Sequence, residues 1–172
     1  MRFNTMGGEE MSLFPEIDAE KTAARARDFL GDDLPRFLNR AGRPLSDLTG
    51  IDYSSNIGGS SGPKLNYEEI SLINRLADRE YCSTVIDCVV QTLATMRDSR
   101  DYHCHRTIII DSYVKRWSDL EVAPVVGLSP ASLAPHKQAA LLEFAETFDF
   151  KKASCGCGNL PDLTVYALGA EL

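Results

Sequence analysis

Residues 118–148 read Ser118-Asp-Leu-Glu-Val-Ala-Pro-Val-Val-Gly-Leu-Ser-Pro-Ala-Ser-Leu-Ala-Pro-His-Lys-Gln-Ala-Ala-Leu-Leu-Glu-Phe-Ala-Glu-Thr-Phe148. Ser118 with Glu121 three residues later has the spacing of a capping box, which satisfies free N–H groups at a helix start. A short helix, Asp119–Val126, is predicted to follow, with Leu120, Val122, Ala123 and Val126 turned inward. Gly127 supplies the left-handed residue that a tight interhelical turn needs, and Leu128 is placed to plug the angle. Ser129 then caps a second helix, and Pro130 stands at its first position, where a missing N–H costs nothing. Leu133, Leu141, Phe144 and Ala145 give that helix an apolar face. The pattern predicts a helix-turn-helix over 119–148, the unit that sets the start of its second helix in a DNA groove. The same pattern also describes a plain pair of helices in a small helical domain.

The side chains at the start of the second helix are unusual for a DNA reader. Ala131 and Ala134 can touch only a thymine methyl, and Pro130 and Pro135 carry no donor. Ser132, His136, Lys137 and Gln138 remain as polar groups, with Ser132 and His136 the candidates for base edges and Lys137 for a phosphate. Lys115 and Arg116, just upstream, are further candidates for phosphate contact, and Ser129 completes the candidate DNA-binding set as the cap. Pro135 is expected to kink or shorten the first turns of its helix, and Pro124 to do the same late in the helix before it.

Outward from this unit the chain reads as helical. Thr107–Trp117 has β-branched strand formers, yet its length and the Asp111–Lys115 spacing favour a helix. Asn66 and Glu69 form a second capping-box signal, opening a helix of about 66–96 whose apolar positions include Ile70, Ile73, Leu76, Ala77, Val85, Val89, Leu93 and Met96. Asp18 caps an N-terminal helix of about 19–30, and Gly31 and Pro35 are expected to separate it from another at 34–41. Tyr53–Lys64 is rich in Gly and Ser and reads as a flexible linker, and the first dozen residues read as a mobile start. The expected organisation is an N-terminal helical segment at 13–50, a linker at 51–65, a helical domain at 66–150 and a C-terminal tail at 151–172. No run of strands separated by turns appears, so the fold class is mainly α.

The chain has 172 residues and a net charge of −7. DNA affinity comes largely from Lys and Arg on phosphates, so the total counts against a simple nucleic-acid binder. Residues 97–152, however, carry eight basic and eight acidic side chains, the least acidic part of the chain. No apolar run reaches the roughly 20 residues of a membrane helix. No secretion signal is visible at the start, and the five cysteines read as reduced thiols in a cytoplasm. His103-Cys104-His105 and Cys155-Gly156-Cys157 lack the pair spacings of zinc frameworks, so no metal site and no other cofactor is expected. Cys82 and Cys88 read as small buried hydrophobes. No grouping of Ser, His and Asp or of Cys and His makes a catalytic signature, and no phosphate-binding glycine motif is present; the expectation is a protein without catalysis.

Several stretches also carry a family likeness. They are Leu13-Phe14-Pro15-Glu16-Ile17-Asp18 with Lys21 and Thr22, Arg40-Ala41-Gly42, Ile73-Asn74-Arg75-Leu76 and Ser112-Tyr113-Val114-Lys115-Arg116-Trp117. Gly127-Leu128-Ser129 with Lys137, and Ala140-Leu141-Leu142-Glu143-Phe144-Ala145-Glu146, complete the set. In order and spacing, over about 13–148, the chain resembles the ArpU (autolysin regulatory protein) family of phage and prophage regulators. The C-terminal part of that family is similar to sigma-factor region 4. The resemblance implies N-terminal helices, a sigma-region-4-like helix-turn-helix, control of late packaging or lysis genes, and a bacterial cytoplasm. Its implied partners are promoter DNA and host RNA polymerase; the N-terminal helices are expected to serve self-association, as in a homodimer, or polymerase contact. Two alternatives stay open: a sigma-like adaptor that binds protein with little or no DNA affinity, and a packaging protein resembling a small terminase subunit.

Overall fold

The computed structural model describes residues 14–50, 67–99 and 104–167, with side chains described from Asn74 onward in the second stretch. The expected linker at 51–65, the N-terminal dozen, Asn66, the Glu69 side chain and His103 lie outside the described residues. The described chain is mainly α-helical. The helices are α1 (Ala19–Asp28), α2 (Leu34–Ala41), α3 (Ser46–Thr49), α4 (Tyr67–Thr95), α5 (His105–Ile109), α6 (Asp119–Val125) and α7 (Pro130–Ser154). Among the described residues the sole β-pairing is one antiparallel bridge, Ile17 with Tyr166. None of the described helices is long and apolar enough to cross a membrane.

Asp18 caps α1 as expected, its carboxylate accepting from the Lys21 N–H at 3.0 Å. Gly31 and Pro35 do not break the chain that follows. A π-helical turn, Phe29–Asp33, carries α1 into α2. Pro35 has no N–H to give the Gly31 carbonyl, so the ladder widens there and the Leu34 N–H bonds the carbonyl of Phe29. The freed Gly31 carbonyl accepts from Arg116 Nη2 at 3.0 Å. Gly42, at φ +66, closes α2, where the Arg79 guanidinium of α4 donates to the Ala41 carbonyl at 3.0 Å.

One continuous core joins these elements. α1 packs on α7 and α2 on α4, while α4 and α5 both pack on α7. Phe29 meets Phe148 and Phe144 at centroid separations of 4.9 and 6.2 Å, and those two rings stack at 5.8 Å. Val85, Ile86, Cys88, Val89 and Leu93 of α4 are buried in the same core. The segments 13–50 and 66–150, read as separate units in the sequence, therefore share their apolar interior. The apolar spacing of α4 does not mark one buried face along its length: Leu76 and Ala77 are exposed, as is every residue from Asn74 to Glu80, while Val85, Val89, Leu93 and Met96 are buried.

The expected tail at 151–172 is also structured over its described part. α7 continues to Ser154, and Leu163 and Thr164 beyond it are buried. Asp149 accepts from the N–H groups of Leu163 and Thr164 at 3.0 and 2.7 Å. Buried Lys152 bonds Asp162 at 2.5 Å and the Leu160 carbonyl at 2.8 Å. Val165 then reaches α1: its N–H donates to Thr22 Oγ1 at 2.9 Å, and its carbonyl accepts from the Asp18 N–H at 2.8 Å.

Candidate nucleic-acid interface

The segment Ser118–Phe148 folds as the helix-turn-helix pattern predicts. Glu121 accepts from both the Ser118 N–H and Ser118 Oγ at 2.7 Å, which closes the start of α6. These two bonds hold the Glu121 carboxyl below its ordinary pKa. Val122 and Ala123 are buried, but Leu120, expected inward, is 74% exposed. A helix of seven residues can bury only one narrow stripe, and Leu120 lies off it. Gly127 takes φ +73 in the turn, and the Leu128 N–H bonds the Ala123 carbonyl at 2.9 Å. Leu128 packs half-buried against the core.

Ser129 caps α7 through its hydroxyl, which accepts from the Ser132 N–H at 3.2 Å. The hydroxyls of Ser129 and Ser132 lie 2.7 Å apart, so the cap engages Ser132 twice. α7 runs unbroken through Pro135, which does not shorten it. Leu133, Ala140, Leu141, Phe144 and Ala145 anchor it below, all fully buried. Its outer face near the start is exposed at Ala131, Ser132, Ala134, Pro135 and Gln138, while His136 and Lys137 are half-buried.

Each cation proposed for phosphate has an internal partner. Lys137 Nζ bonds Asp119 of α6 at 2.7 Å and lies 5.5 Å from the Tyr113 ring. Lys115 pairs with buried Asp111 at 2.7 Å, the expected i,i+4 pair, and sits 4.5 Å over the Trp117 ring. Arg116 is held by the Gly31 carbonyl and takes φ +59 at the end of a second π-helical turn, Ile110–Val114. There the Lys115 N–H bonds Ile110 and the Trp117 N–H bonds Asp111, both through carbonyls. Lys115 and Arg116 thus fix how the chain leaves the core and enters α6. The Asp111–Lys115 pair follows from local spacing, whereas the partners of Lys137 and Arg116 lie 18 and 85 residues away and nothing in the local pattern announced them.

The apolar side chains left outside form a second feature of this unit. Leu120, Pro124, Val125 and Trp117 are exposed in and just before α6, as are Ala131, Ala134 and Pro135 on α7. His105 is buried, its Nδ1 2.5 Å from Glu143 of α7. Glu143 also accepts from the Arg97 N–H at 2.9 Å, so α7 is tied to the ends of both α4 and α5. An apolar cleft of about 350 Å³ lies between α3, α4 and α5, floored by Leu48, Val90, Leu93 and Ile110. Its charged rim groups neutralise each other in the pairs Asp98–Arg106 and Asp111–Lys115. Among the described residues, no three or more His, Cys, Asp or Glu side chains are arranged to hold a metal ion. Comparison with protein-family models, curated proteins and solved structures finds no match.

Proposed function

We propose that the protein is a phage-type transcriptional regulator without catalytic activity, acting at late promoters through the α6–α7 helix-turn-helix. The observation that carries this reading is the capped, outward-facing start of α7, held rigidly on the core by Leu133 and Leu141. A groove-entering helix needs that combination of exposure and support. The ordered likeness of residues 13–148 to the ArpU family supports the same reading and adds RNA polymerase as partner and the bacterial cytoplasm as compartment. Ser129 acts as the cap, Ser132 and His136 face base edges, and Lys137 exchanges Asp119 for a phosphate. Lys115 and Arg116 border the same edge. With so few cations, affinity for DNA alone is weak, and polymerase or a second copy supplies the rest.

Binding to a phage late-promoter duplex, measured at about 50 and 200 mM salt, tests this. Lys137→Ala should weaken binding nearly equally on all sequences and flatten the salt slope by about one unit. Ala131→Arg and Ala134→Arg should strengthen it. A second reading is favoured by the apolar surface of Leu120, Val125, Ala131 and Pro135: a sigma-like adaptor that grips polymerase directly. Failure of both Arg substitutions to raise DNA binding, with polymerase captured in the absence of DNA, would establish the adaptor and reject promoter reading.

A further inference from the structure

Cys155-Gly156-Cys157 ends α7 in a turn that lies across α4. Gly156 takes φ +85, and the Cys157 N–H reaches back to the Lys152 carbonyl at 2.9 Å. This closure requires a left-handed residue between the two cysteines and turns the second one into the core. Cys155 Sγ lies 3.7 Å from Gln91 Oε1, and a Cβ built on Gly156 would stand 3.8 Å from Thr84 Cγ2. Thr84, Cys88 and Gln91 stand at i, i+4 and i+7 on α4, along one face. Cys88 is thus the residue of that face between the two points where the turn touches α4, which places it beneath Cys155 and Gly156. Cys88 and Cys157 are fully buried, whereas Cys155 is half exposed, and all three are free thiols.

The geometry points to an oxidant-responsive disulfide site in which Cys155 meets a hydroperoxide and Cys88 resolves it. In the first step the Cys155 sulfur takes the distal oxygen of the hydroperoxide, giving a sulfenic acid and releasing the alcohol, or water from hydrogen peroxide. In the second, the Cys88 sulfur attacks the sulfenic sulfur, the S–S bond forms, and hydroxide leaves with the Cys88 proton as water. Exposure selects Cys155 as the entry point, since an oxidant cannot reach the other two thiols directly. Burial pushes the Cys88 thiol well above the ordinary thiol range, so it holds its proton until it attacks the sulfenic sulfur, and the resolving step is the slower of the two. Cys157 stays reduced as the hydrophobic plug of the turn. The product staples α4 to the end of α7, the helix that carries the proposed reading face at its other end. This inference stands on the thiol geometry and is independent of what α7 binds.

The test is oxidation of the full chain with hydrogen peroxide, then proteolysis without reductant and mass mapping. The expected result is an intramolecular Cys88–Cys155 link, lighter by two hydrogens and reversed by dithiothreitol. The oxidised chain should keep its helical spectrum and gain about 5–10 °C in Tm from the closed loop. Cys88→Ser should leave a sulfenic acid on Cys155 that a 1,3-diketone traps, and Cys155→Ser should abolish the link while leaving the fold intact. A Cys155–Cys157 link, a link between chains, a lower Tm on oxidation, or a Cys155 that stays a thiol would each overturn the proposal.

Discussion

Asp119 is the residue on which the proposed DNA contact turns. It holds the Lys137 ammonium at 2.7 Å, with side chains 48% and 23% exposed respectively. A pair this open to solvent contributes about 0–1 kcal/mol, so its loss is cheap while the freed cation gains a phosphate. Asp119→Asn should therefore lower stability by less than about 1 kcal/mol and raise affinity for promoter DNA by up to about fivefold at low salt. Titration of the duplex by fluorescence anisotropy, alongside urea unfolding, measures both. Glu121 gives a pH signature. Its pKa is depressed below the ordinary 4.5 by the Ser118 N–H and hydroxyl, so the folded state favours the ionised form. The resulting stability is fully present above pH 4.5 and is lost as pH falls through the lower folded value. Glu121→Gln should accordingly make Tm less sensitive to acid over that window, as read from thermal melts at a series of pH values.

At the scale of elements, α7 contains a local conflict that its packing overrides. Pro135 cannot donate to the Ala131 carbonyl, and a proline inside a helix costs roughly 3 kcal/mol relative to alanine. The helix still continues through it, because Leu133 below and Ala140 and Leu141 beyond are fully buried. Pro135 is exposed, so replacing it removes no buried contact. Pro135→Ala should raise the unfolding free energy by about 1–3 kcal/mol. Ser129→Ala should lower it by about 1 kcal/mol through loss of the cap. Denaturant titration distinguishes the two signs. The π-turn before α2 shows the contrasting case, in which Pro35 does change the ladder and Arg116 fills the carbonyl it leaves.

For the whole molecule the decisive fact is the shared core. Phe29 from the N-terminal segment sits against Phe144 and Phe148 of α7, and the chain beyond α7 returns to α1 at Thr22. Elements that share buried side chains unfold together. Heating should give one transition, with Trp117 fluorescence and far-ultraviolet dichroism coinciding; separate midpoints would show that the N-terminal segment is an independent unit. Phe148→Ala opens a cavity where three rings meet and should cost about 3–5 kcal/mol. Calorimetry reads that loss as a lower Tm in the same single transition.

The local pattern was enough for α6, the turn and the start of α7. Caps, a left-handed glycine and a proline at the first helical position act over three or four residues, and Ser118, Glu121, Gly127, Ser129 and Pro130 declared them. Asp18 and the Asp111–Lys115 pair were legible for the same reason. Only the tertiary structure decided which helix faces are inside, because burial depends on what another element brings to that face. Leu76 and Leu120 are apolar at helical spacing yet exposed, since no described helix covers them. The partners of Arg116, Lys137 and His105 lie 85, 18 and 38 residues away, and chain separation hides such contacts from any local spacing rule. Cys88 and Cys155 are 67 positions apart in the chain and meet for the same reason: α4 and α7 pack side by side around a common apolar core.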